Sequence, residues 1–247
     1  MLVHCVRNGV HFFGVVAANG ILALGSVLQA ATGLGAGLVV VPLLALISLE
    51  FVPGPVILAV LALAWLMAWR GRAQISFAGV PLLLSGLLVG MVVGASVLSY
   101  LPPDRLGVLF GGLILLAVVV SISGGSLRHS PAVVSLTGAL SGFMGVTSAI
   151  GAPVLALLYQ HHPGPVLRAT LGLLYFISSI VMLVLLHLAG RFGINELQLG
   201  LVLIPGVIVG YVLAGFLARH LDRGYSRLAV LVISTLSALV LLVKSIW

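Results

Sequence analysis

The side chains that could do chemistry are few and gather in two places. Gln29, Thr32, Gly33, Gly35 and Gly37 fall in QAATGLGAGLVVVPLL (29–44), Thr147, Ser148 and Gly151 in SGFMGVTSAIGAPVLALLY (141–159), and Arg168 follows the second stretch. Amide, hydroxyl and guanidinium groups donate hydrogen bonds, and glycine lets a ligand approach backbone N–H groups closely. None of these residues is an acid. The set therefore suits capture of a small anion by hydrogen-bond donors. Singly, Thr32, Thr147 and Ser148 are equally well explained as bonding to the carbonyls of their own helices. Their recurrence in two similar stretches favours ligand contact.

Other chemistries find less support. The GxGxG string (33–37) lacks the polar dinucleotide-sized domain that a nucleotide site needs. His161 and His162 are adjacent, with no carboxylate or cysteine nearby, and read as a loop or gate rather than a metal site. Cys5 is the sole cysteine, so an intrachain disulfide is excluded. Glu50, Asp104, Glu196 and Asp222 are the only carboxylates, and all fall at segment ends or in loops. That distribution disfavours a carboxylate-based pump and a hydrolytic enzyme. No metal or cofactor is expected.

The elements that must hold the donors follow from composition. The 247 residues are 62% hydrophobic and 6% charged, with mean hydropathy +1.34, whereas soluble domains carry about 25% charged residues. The chain is a polytopic membrane protein, solvated by the lipid bilayer. Its eleven Lys and Arg residues are scattered between apolar segments, a pattern of membrane topology rather than of nucleic-acid binding. Apolar segments cover about 12–31, 38–49, 56–69, 77–100 and 106–122, then five more follow SGGSLRHS (123–130). The first is expected to be retained rather than cleaved as a signal, because its counterpart at 131–150 is internal. A glycine inside a helix costs roughly 1 kcal/mol relative to alanine and a mid-helix proline roughly 3. The Gly-rich stretches, with Pro42 and Pro153, are accordingly expected to break their helices.

The two halves repeat one plan. Pro53-Gly54-Pro55 is answered by Pro163-Gly164-Pro165, Gly71-Arg72 by Gly190-Arg191, and the 101–105 loop by Leu221-Asp222-Arg223. Gly86, Gly90 and Gly94 recur as Gly206, Gly210 and Ala214, a small-residue spacing that lets helices pack closely. These seams are suited either to sliding within the molecule or to holding a homodimer. We expect an all-α fold of two repeats, 1–122 and 131–247, joined by the 123–130 linker, with about five helical segments each, the first two short or broken. An odd number of crossings inverts the second repeat, as in many secondary transporters. With the Arg70/Arg72 loop inside, seven basic residues fall inside against four outside, and both termini lie outside.

At these residues the chain resembles the TauE/SafE family of sulfite exporters. The resemblance rests on TGLGAGLVVVPLL, LSGFMGVTSAIGAPVLALL, Leu167-Arg168-Ala169-Thr170 and the Leu101-Pro102-Pro103 loop, and runs from about residue 25 to 242. The breaks depart from the family pattern, which is richer in consecutive glycines: Ala36 interrupts the first and Thr147 to Ile150 fill the second. The resemblance implies an inner-membrane carrier exporting sulfite or a small organosulfonate through a site between the Gly-rich elements. In an inside-negative cell each exported negative charge gains about 2.3 kcal/mol per 100 mV, which suits an uncoupled exporter. The alternatives are a carrier of another small solute, a non-transporting scaffold, and a membrane enzyme acting on lipid or quinone. The last has no acid-base constellation to use.

Overall fold

The computed structural model describes residues 12–33, 37–102, 105–123, 130–159, 162–217, 231–232, 234–240 and 242–243. Within them the regular structure is helical: α1 (Phe12–Thr32), α2 (Gly37–Ile47), α3 (Gly54–Arg70), α4 (Val80–Tyr100), α5 (Leu106–Ser123), α6 (Pro131–Ser148), α7 (Ala152–Tyr159), α8 (Gly164–Leu188) and α9 (Ile194–Leu217). Helical backbone at 231–232, 234–240 and 242–243 forms a C-terminal segment. Among the described residues five stretches are individually long and apolar enough to cross a bilayer: Phe13–Thr32, Val80–Tyr100, Pro131–Ser148, Gly164–Leu188 and Ile194–Phe216.

Local sequence sets the ends. Ser130 caps α6 by accepting the Val133 N–H, and Pro131 occupies the first turn, where a missing N–H costs nothing. Glu196 reaches back to accept the Gly193 N–H at 2.7 Å, steadying the start of α9. Residues 124–129 of the expected linker lie outside the described residues.

Both breaks end on the same device. Gly33 (φ 75°) and Ala149 (φ 59°) adopt the left-handed conformation that stops a helix. Their N–H groups bond to Gln29 O at 2.7 Å and Gly145 O at 2.8 Å. Thr32 thus matches Ser148, and both hydroxyls donate to the carbonyl four residues back, Leu28 O at 2.7 Å and Met144 O at 2.8 Å. The prolines do not make the interruptions. Pro42 lies inside α2, and Pro153 sits in the first turn of α7, after the break at 149–151. The expectation that they break their helices is corrected: glycine and left-handed backbone end α1 and α6, while each proline is accommodated in the helix that follows. Pro42 still removes the N–H that Leu38 O would accept, and the Ser234 hydroxyl of the C-terminal segment donates to that carbonyl instead.

Two pairs of helices, α4 with α6 and α9 with α1, pack through small residues. A Cβ placed on Gly86 would fall 2.1 Å from Ser135 O, and one on Gly90 1.8 Å from Ala139 O, so α4 lies directly on the α6 backbone. The same registration recurs where α9 meets α1, with Gly206 at Asn19 O and Gly210 at Ala23 O, 2.5 and 2.2 Å from the added Cβ. The small-residue seams are therefore filled within the chain, not by a second copy. Pro205 distorts α9 beside this contact, and Asn19 spans the step. Its Nδ2 donates to Val202 O at 3.1 Å and its Oδ1 accepts the Gly206 N–H at 2.8 Å.

Helices α3 and α8 run antiparallel. Gly71 meets Ala169 and Gly172 meets Met67 and Ala68 at one end, while Gly54 meets Phe192 at the other. At about 1.5 Å per residue, the 11 residues of α2 and 8 of α7 span roughly half of the ~30 Å hydrocarbon layer or less. Connectivity makes each a returning half-helix. α1 ends beside Arg168, and α2 leads back toward Gly54 and Phe192; α6 ends near Gly94, and α7 leads back toward α8's start.

Candidate functional site

The half-helices converge head to head. Gly37, first residue of α2, faces the second break, and a Cβ there would stand 2.8 Å from Ala149 O and 3.5 Å from Ile150 Cα. Only glycine permits that approach. Behind it lies an inner cavity of about 60 Å³, lined by both breaks (Gln29, Gly37, Ala149, Gly151, Ala152) and by Ser141, Gly145, Tyr175, Ser178 and Ser179 among apolar neighbours. First-turn N–H groups of a helix have no intrahelical partner, and each helix start carries roughly half a positive charge. Two such starts border this cavity.

Its few polar side chains are buried. Gln29 is 3% exposed, Ser141 2% and Ser178 4%. Ser141 Oγ donates to Gly151 O at 2.8 Å and so clamps the second break. Tyr175 Oη and Ser178 Oγ are buried and have no hydrogen-bond partner in the protein. Leaving a buried hydroxyl unpaired costs about 1–3 kcal/mol, which marks a place where a ligand or water is accommodated.

A second, wider cavity of about 540 Å³ opens on the other side of the end of α1. Its polar lining is Thr32, Arg70, Gln74, Arg168 and Tyr211. Gln29 and Thr32 are three residues apart, so the last turn of α1, about 4.5 Å long, separates the two spaces. Arg168 holds that turn: its Nη1 donates to Ala31 O at 3.3 Å, a cation on the carbonyl end of a helix. Leu167 and Arg168 also pack on Gly33, where an added Cβ would meet Leu167 Cδ2 at 2.3 Å. A neighbouring cavity that shares Arg70 and Tyr211 with the vestibule is bordered by Trp69 and Arg72. Trp65 stacks near Trp69 and Phe176 at 5.3 and 5.1 Å, and the Arg72 guanidinium sits 4.8 Å from the Trp69 ring, as interfacial residues do.

The residues singled out in the sequence thus separate into three groups. Gln29, Gly37 and Gly151 line the inner cavity, and Thr32 and Arg168 line the vestibule, with Gly33 packed beneath Arg168. Thr147 and Ser148 are fully buried and bond to their own helix, at Phe143 O (2.6 Å) and Met144 O (2.8 Å). Gly35 lies outside the described residues, as does His161. Tyr175, Ser178, Ser179 and Ser141 on the inner side, and Arg70, Gln74 and Tyr211 on the outer, were not anticipated. A Tyr and two adjacent Ser in the middle of the 25-residue apolar α8 were the available signal.

On the opposite face, the α8–α9 turn is tied to the end of α4. Arg191 donates through Nε and Nη2 to Leu98 O at 3.1 and 2.9 Å, and through Nη2 to Leu101 O. The exposed His187 ring has Nδ1 2.9 Å from Phe192 O in the same turn.

A family model described as "Sulfite exporter TauE/SafE" matches residues 18–241. No curated protein and no solved structure matches the chain.

Proposed function

The chain belongs to the sulfite exporter TauE/SafE family and is a membrane transporter of a small anion rather than an enzyme; from this premise we propose that it exports sulfite or a small organosulfonate through the inner cavity between its two broken helices. The observation that carries the proposal is the contact of Gly37 with Ala149 and Ile150, which turns two half-helix starts toward one largely apolar cavity that holds a few hydroxyl and amide groups. Paired positive helix ends and neutral donors hold an anion without a fixed cation that would retain it.

The route is divided by gates. The vestibule with Arg70 and Arg168 gathers the anion, the last turn of α1 separates it from the site, and Arg191 closes the far face. Antiparallel α3 and α8, together with the exchanged α1–α9 and α4–α6 seams, support reading the halves as inverted repeats that expose the site alternately. The Arg70/Arg72 loop and the Trp65–Trp69 pair next to it support a cytoplasmic vestibule in an inner membrane, with both chain ends outside. The structure then corresponds to the inward-facing state, and the membrane potential drives anions outward.

The deciding experiment is sulfite flux into proteoliposomes holding the purified chain, without sodium and with the potential clamped to either sign. Saturable flux that reverses with the potential is expected. Absence of flux under every gradient would return the chain to a carrier of another solute or a scaffold.

A further inference from the structure

We propose that the inner cavity is selective for compact monoanions, with Tyr175 Oη and Ser178 Oγ as its two side-chain donors, and that sulfite crosses as hydrogensulfite. The inference rests on the carrier reading above and specifies what its site accepts. Three observations carry it.

The first is charge. Among the described residues lining the inner cavity none is ionised, whereas the vestibule has Arg70 and Arg168. Born desolvation grows with the square of the charge, so a dianion costs roughly four times as much to dehydrate as a monoanion of the same size. What the cavity offers in return is two helix starts of roughly half a charge each, which together match one negative charge. A dianion leaves the second charge unmet. Sulfite near neutral pH is a mixture of both protonation states, and the neutral site takes the singly charged one.

The second is size. At about 10–15 Å³ of such space per water-sized group, about 60 Å³ admits four to six heavy atoms. Sulfite, sulfate and methanesulfonate fit, and an aryl sulfonate does not. The vestibule, at about 540 Å³, holds any of them.

The third is unused donors. Tyr175 and Ser178 are 8% and 4% exposed, three residues apart on one face of α8, and neither hydroxyl has a partner in the protein. Their O–H groups are free to donate to an oxyanion, and a hydroxyl lone pair can accept the proton of hydrogensulfite.

Competition with sulfite flux in proteoliposomes tests the proposal on the unaltered chain. Methanesulfonate and sulfate have the same number of heavy atoms and differ in charge. Methanesulfonate is expected to halve sulfite flux at a concentration at least tenfold below that needed for sulfate. Benzenesulfonate, a monoanion too large for the inner cavity, is expected to slow flux from the vestibule side without itself crossing. Tyr175→Phe with Ser178→Ala removes two unpaired hydroxyls and no packing, so the variant should melt at the same temperature or higher. Its half-saturating sulfite concentration should rise about tenfold. Equal competition by sulfate and methanesulfonate, or an unchanged half-saturation in the double variant, overturns the monoanion site while leaving the carrier intact. Absence of sulfite flux in the unaltered chain overturns the carrier reading itself, and this inference with it.

Discussion

Arg168 illustrates how one side chain both holds a helix end and lines a cavity. One of its N–H groups is spent on Ala31 O, and the rest of the fork faces the vestibule. Charge-assisted bonds are worth about 1.5–3 kcal/mol, so Arg168→Gln should raise the half-saturating anion concentration on the vestibule side roughly tenfold and flatten its salt dependence. Arg168→Lys, which keeps the charge and loses the fork, should fall between them. An unchanged half-saturation and salt slope in Arg168→Gln would remove the vestibule from the transport route. Ser234 gives a test of stability alone. Ser234→Ala leaves Leu38 O, already deprived of a partner by Pro42, buried and unmet, at a cost of about 1–3 kcal/mol. Pro42→Ala restores the backbone donor, so the same Ser234 substitution should cost less in that background; equal cost in both would show that the hydroxyl does not replace the missing N–H. Sequence made the glycines, Gln29 and Arg168 legible because such residues are costly inside an apolar segment. It could not separate Thr32, which faces a cavity, from Ser148, its structural match, because both also bond to the preceding turn and only tertiary packing sets them apart. Tyr175 and Ser178 escaped notice for a related reason: one hydroxyl residue per turn in a membrane helix is unremarkable until its lack of a partner is seen.

At the scale of elements, the glycine spacing of α4 and α9 was legible, and its partners were not. Spacing announces a close approach without naming the helix that approaches, and here α4 receives α6 and α9 receives α1. The break positions were legible to within a few residues; the role given to Pro42 was not, since a proline's effect depends on whether a neighbour such as Ser234 serves the carbonyl it frees. The seams yield a sharp contrast. Gly90→Ala drives a Cβ to 1.8 Å from Ala139 O, and neither backbone can yield without parting α4 from α6. Such overpacking costs about 1–3 kcal/mol or more, read as a lower melting temperature in detergent. Gly20 and Gly112, which have nothing within 4 Å of an added Cβ, lie in α1 and α5 and should tolerate alanine or gain from its higher helix propensity. Equal melting temperatures for Gly90→Ala and Gly112→Ala would mean that α4 and α6 are not in backbone contact.

For the whole molecule, orientation and gating depend on facts that no single segment contains. The order of elements could be read from the chain, because Pro-Gly-Pro turns, Gly-rich breaks and small-residue stretches punctuate it. Which face is open could not, because it depends on how far the last turn of α1 stands from Arg168 and how tightly Arg191 holds α4. The two guanidinium groups act on opposite faces: Arg168 beside the vestibule, Arg191 on Leu98 and Leu101 at the other end, with the 20 residues of α8 that follow Arg168, about 30 Å, between them. A group that bonds in one state and not in the other shifts the equilibrium by its differential contribution, and the proposed alternating exposure gives Arg191 that role at the face opposite the vestibule. With Cys5 replaced by Ser, a cysteine at Gln74 in the vestibule should react with a membrane-impermeant maleimide from the cytoplasmic side only, and one at the exposed Ile194 from the outside only. The reverse pattern would turn the protein over in the membrane. Adding Arg191→Gln should release α4 from the α8–α9 turn and raise the outward-facing population, seen as slower labelling at Gln74 while Ile194 stays as reactive as before. If Gln74 labelling is unaffected by the loss of Arg191, the two faces open independently, and the site is a pore with two doors rather than one that is exposed alternately.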